Sequence, residues 1–337
     1  MSEIPEVFLP APKEIRGVDP SCDLSSVSGS NRTADFPRLN RVLSELGLTG
    51  RLQEIEIANP PTNFPALEDS YRYEVHLGGG GFRLSADTEW GAITACHTLR
   101  QLDLDKSALS NVVIRDQPTY PWRGLMIDVA RHYINLKELY LTLDLMAHFH
   151  LNVLHLHLSD DQGFRFESKR FTKLQTAPFY TQEQLFDLVE YAADRAIRAV
   201  PELDVPGHVT SWLTSYPSWG GKSQVEPSTG FGVHHACLDP SNPDLMPNLL
   251  DLFAELWEVF RDQYVHIGGD EVSGQWWNES TAIRDLMDRN GWTEIREVQA
   301  WFTQNLVNGI ERSGKKVIGW DEVLDPTLSS SVTVQAW

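Results

Sequence analysis

Two adjacent carboxylates, Asp270 and Glu271, are the first side chains in this sequence whose types and spacing could do chemistry. They follow an apolar stretch at 264–267 and two glycines, Gly268 and Gly269, which leave space for a ligand or for another backbone. Like charges at the end of a buried strand repel each other, so one acid of such a pair holds its proton more tightly and can serve as a general acid. The alternative is a solvated loop, where most acidic pairs are found.

Polar residues also follow the other predicted strands in the second part of the chain. In sequence order they are Arg131 and His132, Asp160 and Asp161, Asp204 and His208, and Trp320. Functional groups at the carboxyl ends of successive strands are typical of a (β/α)8 barrel. A doubly wound sheet would concentrate ligand groups at one switch point, usually with a glycine-rich phosphate loop, and the sequence contains no such motif.

The elements that must position these residues alternate between strand and helix after Pro118 and Pro121. Predicted strands cover 124–130, 152–158, 197–203, 264–267, 316–319 and 332–335, and predicted helices cover 136–149, 181–195, 247–261 and 294–312. This alternation predicts an α/β fold with a parallel sheet covered by helices. Because six strands precede the end at Trp337, we expect an incomplete (β/α)8-type (TIM) barrel. A second copy in a homodimer could cover its open edges.

The part of the chain before the barrel has a different pattern. Helices are predicted at 39–46 and 89–104, and strands at 52–58, 71–77, 82–86 and 111–115. Four consecutive glycines at 78–81 predict a hairpin between the second and third of these strands. We therefore predict a small α+β domain with a loose lead-in at 1–117 and a catalytic barrel domain at 118–337.

Composition restricts the partners and the compartment. The chain has 337 residues with a net charge of −19, which disfavours nucleic acid and anionic membrane surfaces and favours a neutral or cationic ligand. The first residues resemble no signal peptide, and no apolar run approaches the ~18 residues of a spanning helix. A cytoplasmic location is expected, and a secreted or periplasmic mature form would look the same.

Cys22, Cys96 and Cys237 form neither a disulfide framework nor a zinc spacing, so we expect small buried thiols.

His155 and His157 lie two residues apart on one predicted strand and could ligate a metal. Barrel metallohydrolases use such a pair on their first strand, with further ligands downstream. Here the pair lies on the second strand and no such set follows. We therefore interpret both histidines as packing and hydrogen-bonding residues, and predict neither a metal nor a cofactor.

Four segments carry a resemblance to a known family. His-Ile-Gly-Gly-Asp-Glu-Val at 266–272, Ser-Asp-Asp-Gln-Gly at 159–163, Pro-Glu-Leu-Asp-Val-Pro-Gly-His at 201–208 and the strand at 124–132 resemble the signatures of glycoside hydrolase family 20, the β-N-acetylhexosaminidases. The resemblance extends over 87–337, where the first residues are similar to the end of the α+β domain that precedes those barrels. Phe164 stands where the family usually has Trp.

The resemblance implies an exo-acting enzyme that removes terminal, non-reducing β-linked GlcNAc or GalNAc with retention, through an oxazolinium ion formed by the substrate's own acetamido group. It implies that Asp270 orients the acetamido group and that Glu271 is the general acid and base. It also implies that Asp160 orients His208, that His208 lies near Glu271, and that Arg131 binds substrate hydroxyls. No cofactor is implied.

The resemblance further implies that Trp320 and Trp337 wall the pocket around the acetamido group. Trp276 and Trp277 could line the site or pack its loop. The implied substrates are amino-sugar glycosides, either chitooligosaccharides or glycan termini. The family's later strands supply a Tyr, an acid and another pocket Trp that this sequence does not contain. A truncated relative that binds amino sugars with little or no turnover is therefore the alternative hypothesis.

Overall fold

The computed structural model describes residues 10–17, 33–102 and 111–337. Cys22 and most of the predicted lead-in lie outside these ranges. Cys96 and Cys237 are buried and free, as predicted. Within the described ranges, no helix combines the length and the apolar character needed to cross a membrane.

The described elements up to residue 116 build one sheet with two helices. In chain order they are β1 (Glu14–Gly17), α1 (Pro37–Glu45), β2 (Leu52–Ile57), β3 (Tyr73–Gly78), β4 (Gly81–Ala86), α2 (Glu89–Arg100) and β5 (Val112–Asp116). The five strands lie in the order β1-β5-β3-β4-β2. Residues of β3 alternate between buried and half-buried, and the buried face packs with α1 and α2 in one apolar cluster.

The predicted hairpin is present between β3 and β4, which pair antiparallel from Tyr73 opposite Ala86 to Gly78 opposite Gly81. Gly79 and Gly80 form the two-residue turn with φ of +60° and +79°. Positive φ at both central positions is what a turn matching the strand twist requires, and glycine adopts it without steric cost. The short edge strand β1 was not predicted, because four residues carry too little alternation.

The elements from residue 124 onward follow the predicted alternation. In chain order they are β6 (Gly124–Asp128), α3 (Leu136–His148), β7 (Val153–His157), β8 (Ser159–Asp160), β9 (Gly163–Phe164), α4 (Gln182–Ala193), β10 (Arg198–Glu202), α5 (Thr210–Ser215), α6 (Leu245–Val259), β11 (Tyr264–His266), α7 (Gln275–Glu279), α8 (Thr281–Asn290), α9 (Ile295–Glu311), β12 (Lys316–Trp320) and β13 (Thr333–Gln335). Six of these strands form one curled sheet in the order β6-β7-β10-β11-β12-β13. The prediction of an incomplete (β/α)8 barrel is confirmed.

Three interior strands of this sheet are covered on both faces. Every residue of β7, β10 and β11 is buried, which is typical of parallel strands that carry helices on the outside and side chains on the inside. The buried polar side chains on these strands therefore point to a function of the barrel interior. The short hairpin of β8 and β9 and the helices α5, α7 and α8 were not predicted. They lie in the loops that follow the strands.

The described residues form two compact units. One comprises the described residues of Met1–Leu125, Lys137–Leu154 and Glu190–Arg198, and the other comprises Met126–Leu136, His155–Val189 and Ala199–Trp337. The units are therefore assembled from several segments each, and the boundary between residues 117 and 118 stays a prediction. The residues of the candidate site all belong to the second unit.

Candidate active site

The carboxyl ends of three neighbouring strands bring the predicted side chains together. Asp160 ends β8, the two-residue strand that comes just after β7. His208 follows β10, and Asp270 and Glu271 follow β11. Because β10 and β11 are parallel, with Glu202 opposite His266, the loops that leave both strands emerge at the same edge of the sheet.

Two glycines shape the turn that presents the acid pair. Gly268 and Gly269 have φ of +67° and +102°, and a Cβ on Gly268 would lie 1.7 Å from Asp204 Oδ1. The Gly269 amide donates to that same oxygen at 3.0 Å, and Gln299 Nε2 donates to the Gly269 carbonyl at 2.9 Å. The turn therefore has a defined conformation, fixed by groups on both sides, and it aims the next two residues at His208.

His208 lies between the acid pair and a second set of carboxylates. Its Nδ1 is 3.2 Å from Asp160 Oδ1 and 3.4 Å from Asp161 Oδ2. Its Nε2 is 3.5 Å from Glu271 Oε2 and 3.6 Å from Asp270 Oδ2. Burial alone would lower the pKa of His208, but the hydrogen bonds to Asp160 and Asp161 outweigh it and raise the pKa to about 12. The imidazole is therefore a cation at neutral pH.

Asp160 is the buried anion behind His208. Its Oδ2 accepts from His157 Nε2 at 2.8 Å and lies 2.8 Å from Arg131 Nη2. Burial opposes the charged form, but the hydrogen bonds from His157 and His208 dominate and hold the pKa of Asp160 below its usual value. Arg131 also contacts Asp128 Oδ2 at 3.0 Å, so its guanidinium is held by two carboxylates beside the site.

Glu202 is a functional candidate that the sequence analysis missed. It ends β10, its side chain is 0% exposed, and its Oε2 accepts from His155 Nε2 at 2.8 Å and from His157 Nδ1 at 2.7 Å. Burial would raise the pKa of Glu202, but the nearby charges of His157, His266 and His155 hold it well below its usual value. The signal that could have found it is a carboxylate on a strand predicted to be buried, within the segment 201–208.

Asp204 lies near Asp270, with side-chain oxygens within 4.8 Å of each other. Burial, and next the charge of Asp270, raise the pKa of Asp204 well above its usual value. Both effects favour the protonated form of Asp204. Asp270 Oδ1 is buried and has no hydrogen-bond partner among the residues that the structure describes.

The predicted tryptophans have different surroundings. Trp320 is 8% exposed, its Nε1 donates to Glu202 Oε1 at 3.0 Å, and its ring lies 4.7 Å from that of His266. Trp337 is 75% exposed and donates to Glu322 Oε2 at 3.2 Å, outside the hydrogen-bonded cluster. Trp277 is buried and donates to the Leu238 carbonyl at 2.7 Å, so it packs the loop.

His155 and His157 form hydrogen bonds inside the barrel, as predicted from the sequence. Among the residues that the structure describes, four triads of acids and histidines have ligand atoms within 4.8 Å of one another, close enough to surround a cation: His155, Glu202 and His266; His157, Glu202 and Asp204; Asp160, Asp161 and His208; Asp204, His208 and Asp270. Three of them include His157 or His208, whose raised pKa values favour the imidazolium form. An imidazolium has no lone pair for a metal, so this geometry favours hydrogen bonding.

Comparisons with known proteins show similarity to members of one family. Residues 120–337 match the sequence profile described as glycosyl hydrolase family 20, catalytic domain. A beta-hexosaminidase of Porphyromonas gingivalis is 31% identical over 300 residues, which are 82% of this chain and 38% of that protein. The X-ray structure of Flavobacterium johnsoniae chitobiase is 31% identical with a TM-score of 0.85, covering 98% of this chain and 55% of the other.

A third relative was solved with a sugar bound. The exo beta-N-acetylglucosaminidase of Vibrio harveyi, in complex with N-acetylglucosamine, is 25% identical with a TM-score of 0.78. The match covers 100% of this chain and 59% of that one. The chain thus spans less than two thirds of the length of each of these three relatives.

Proposed function

The chain belongs to glycosyl hydrolase family 20, and from this premise we propose that it removes terminal β-linked N-acetylhexosamine from the non-reducing ends of glycosides, with retention at the anomeric carbon. The observation that carries the proposal is the approach of Asp270 and Glu271 to the same atom, His208 Nε2, at 3.6 and 3.5 Å. Two acids on one side of a single imidazole are poorly placed to flank a glycosidic bond as acid and nucleophile. The nucleophile is then supplied by the substrate.

In the proposed first step the acetamido oxygen of the substrate attacks C1, and the bond from C1 to the leaving oxygen breaks. Glu271 gives its proton to that oxygen, so the leaving group departs as an alcohol and an oxazolinium ion remains. Asp270 is suited to hold the acetamido group, because its buried and unpartnered Oδ1 can accept a hydrogen bond from the N–H of that group. Its negative charge also stabilises the positive charge that develops on the ring.

In the second step the Glu271 carboxylate removes a proton from water, which adds to C1 and opens the oxazolinium ring. Each of the two steps inverts the configuration at C1, so the product keeps the β configuration. The His208 cation faces Glu271 and favours its ionised form after proton transfer, and Asp160 on the far side of His208 fixes the ring. In this proposal Glu271 transfers the protons, Asp270 orients the acetamido group, and His208 supplies a positive charge beside Glu271.

The substrate class follows from the same site. The Vibrio harveyi relative was solved with N-acetylglucosamine, which supports a terminal amino sugar as the group that this chain binds. Arg131 lies at the edge of the cluster with donors in a rigid fork, which suits sugar hydroxyls. We extend the proposal to chitooligosaccharides and glycan termini as the natural glycosides.

The test is hydrolysis of aryl N-acetyl-β-glucosaminides by Glu271→Gln. The variant should lose ~10²–10⁴-fold in kcat/KM, because it removes a general acid and base. The loss should be smaller for a strongly acidic phenol, since that leaving group needs less protonation.

Glu258→Gln is the matched control, because Glu258 is exposed on α6. Its kcat/KM should equal that of the wild type with both aryl groups. Wild-type activity in Glu271→Gln would show that another group is the acid and would remove the proposal.

A further inference from the structure

The barrel interior contains a buried carboxylate, Glu202, that takes no part in the proposed reaction. Glu202 is fully buried, and four side chains from three other strands of the sheet surround its two oxygens. His155 and His157 come from β7, His266 from β11 and Trp320 from β12. A buried charge loses its hydration and is often no more stabilising than an apolar side chain of the same size. Stability alone therefore does not explain this carboxylate.

Glu202 connects to the acid pair through an unbroken series of polar contacts. His157 Nδ1 donates to Glu202 Oε2 at 2.7 Å, and His157 Nε2 donates to Asp160 Oδ2 at 2.8 Å. An imidazole that donates from both nitrogens is an imidazolium. Asp160 Oδ1 in turn lies 3.2 Å from His208 Nδ1, whose other nitrogen faces Glu271.

The charges in this series alternate in sign. Glu202 and Asp160 are anions. The His157 cation lies between them, and the His208 cation lies on the other side of Asp160. Burial would lower the pKa of His157, but the charge of Glu202 and the hydrogen bonds to Asp160 and Glu202 raise it well above its usual value. Neutralising Glu202 would remove one of the two anions that keep His157 charged. Asp160 would then lose a cationic partner on the side opposite His208.

The second oxygen of Glu202, Oε1, contacts Trp320. Trp320 Nε1 donates to Glu202 Oε1 at 3.0 Å, and the indole packs against His155 and His266 at ring distances of 5.9 and 4.7 Å. One buried carboxylate thus fixes both the polar series that leads to His208 and the orientation of the indole.

We propose that Glu202 is a positioning residue for the acid pair, which acts through the His157 imidazolium and Asp160 to hold His208 against Asp270 and Glu271, and which also fixes the Trp320 indole. This inference rests on the proposed function for its catalytic consequence. Its structural part, a His157 cation held by Glu202, is independent of any substrate.

The first measurement is the protonation state of His157, observed by ¹⁵N NMR in the wild type and in Glu202→Gln and assigned with His157→Gln. The wild-type ring should be an imidazolium from pH 6 to 9, and in Glu202→Gln it should become neutral within that range. The other charged or titratable groups around Glu202 and His157 remain in both proteins: Arg131, His155, Asp160, Asp204, His208, His266 and Asp270. A neutral His157 in the wild type at pH 7 would overturn the proposal.

The second measurement is the kinetics of Glu202→Gln on an aryl N-acetyl-β-glucosaminide. We expect kcat to fall ~10–100-fold, as for partners that orient catalytic ligands, with a smaller change in KM. The acid limb of the kcat/KM profile should move to higher pH, because Asp160 loses a cationic partner. Unchanged kcat and an unchanged profile would overturn the proposal.

Glu89→Gln is the matched control for the loss of a buried carboxylate. Glu89 is 2% exposed and accepts from the Leu39 amide at 2.8 Å, within the first unit and outside the site. Its kcat and pH profile should equal those of the wild type, and an equal loss in both variants would show a general effect of destabilisation. If the wild type does not hydrolyse the glycoside, the proposed function fails, while the NMR result still decides whether Glu202 holds His157. The wild-type spectrum also decides this if Glu202→Gln does not fold.

Discussion

The conformations of His208 and Glu271 are unusual for side chains of their size. Their φ angles are +54° and +51°, in the left-handed region that non-glycine residues visit at a cost of ~1–2 kcal/mol each. Strain of this kind persists where the surroundings determine the conformation, and it is common at functional sites. Here it turns both side chains toward each other, to 3.5 Å between Nε2 and Oε2. The backbone therefore supports the role of the pair.

At the residue scale, Asp204→Asn should change how stability depends on pH. The pKa of Asp204 is raised in the folded state, so its contribution to stability is complete below its unfolded pKa and is lost as pH rises toward its folded pKa. Asn mimics the neutral acid and keeps an acceptor for the Gly269 amide. The free energy of unfolding of the variant, relative to the wild type, should therefore increase from pH 5 to pH 8 in urea titrations. A constant difference would mean that Asp204 is ionised in the folded protein.

The residues around the acid pair could be predicted from the sequence, but Glu202, which lies deeper in the barrel, could not. Asp270, Glu271, His208, Asp160 and Arg131 stand at strand ends, where polar side chains attract notice, and the structure brings them together. Glu202 was missed because its role depends on its distances to partners from three other strands, and spacing along one chain does not contain them. The exposed position of Trp337 was equally beyond the sequence, and its role at the acetamido group stays a prediction.

At the element scale, long elements were predicted to within a few residues because they repeat an apolar pattern several times. The helix at 294–312 is α9 (Ile295–Glu311), and the strand at 264–267 is β11 (Tyr264–His266). Two of the elements missed, β1 and α5, are four and six residues long, too short for a period to be recognised. The helix α8 was missed although it has ten residues. The predicted helix at 89–104 ends at Arg100, where the Gln101 amide closes the last turn.

The turn after β11 can be tested with one substitution. Gly268→Ala should destabilise the protein by several kcal/mol and reduce activity, because the residue has φ of +67° and its Cβ would meet Asp204 Oδ1 at 1.7 Å. Gly291→Ala is the matched control, with φ of +70° and open space around the Cβ, and should cost only ~1–2 kcal/mol. The free energies of unfolding from denaturant titrations give the comparison. Equal costs would show that the turn tolerates a side chain and that Asp204 moves.

At the scale of the whole molecule, the buried charges set the pH range of greatest stability. The raised pKa values of His157 and His208 give stability that is complete below the ordinary histidine value of ~6.5 and is lost as pH rises toward their folded values, about 12 for His208. The lowered pKa values of Asp160 and Glu202 give stability that is complete above ~4.5 and is lost as pH falls.

The free energy of unfolding should therefore decrease steadily from pH 6.5 to pH 9. It should also decrease below pH 6.5, because burial lowers the pKa values of His97 and His150 to about 3 and about 4 and these rings must take up a proton on unfolding. Urea titrations followed by tryptophan fluorescence at half-unit intervals measure this free energy. His208→Gln should flatten the decrease, because it removes one of the two cations. Constant or rising stability from pH 6.5 to pH 9 in the wild type would show that the histidines are neutral in the folded protein.

The most direct test of the account compares two aryl glycosides that differ at one position, an N-acetyl-β-glucosaminide and the matching β-glucoside. Because the acetamido group is the proposed nucleophile, the folded 337-residue chain should cleave the first and not measurably the second. Cleavage of both at similar kcat/KM would show that a protein carboxylate attacks C1. Cleavage of neither would contradict the proposed activity of this chain.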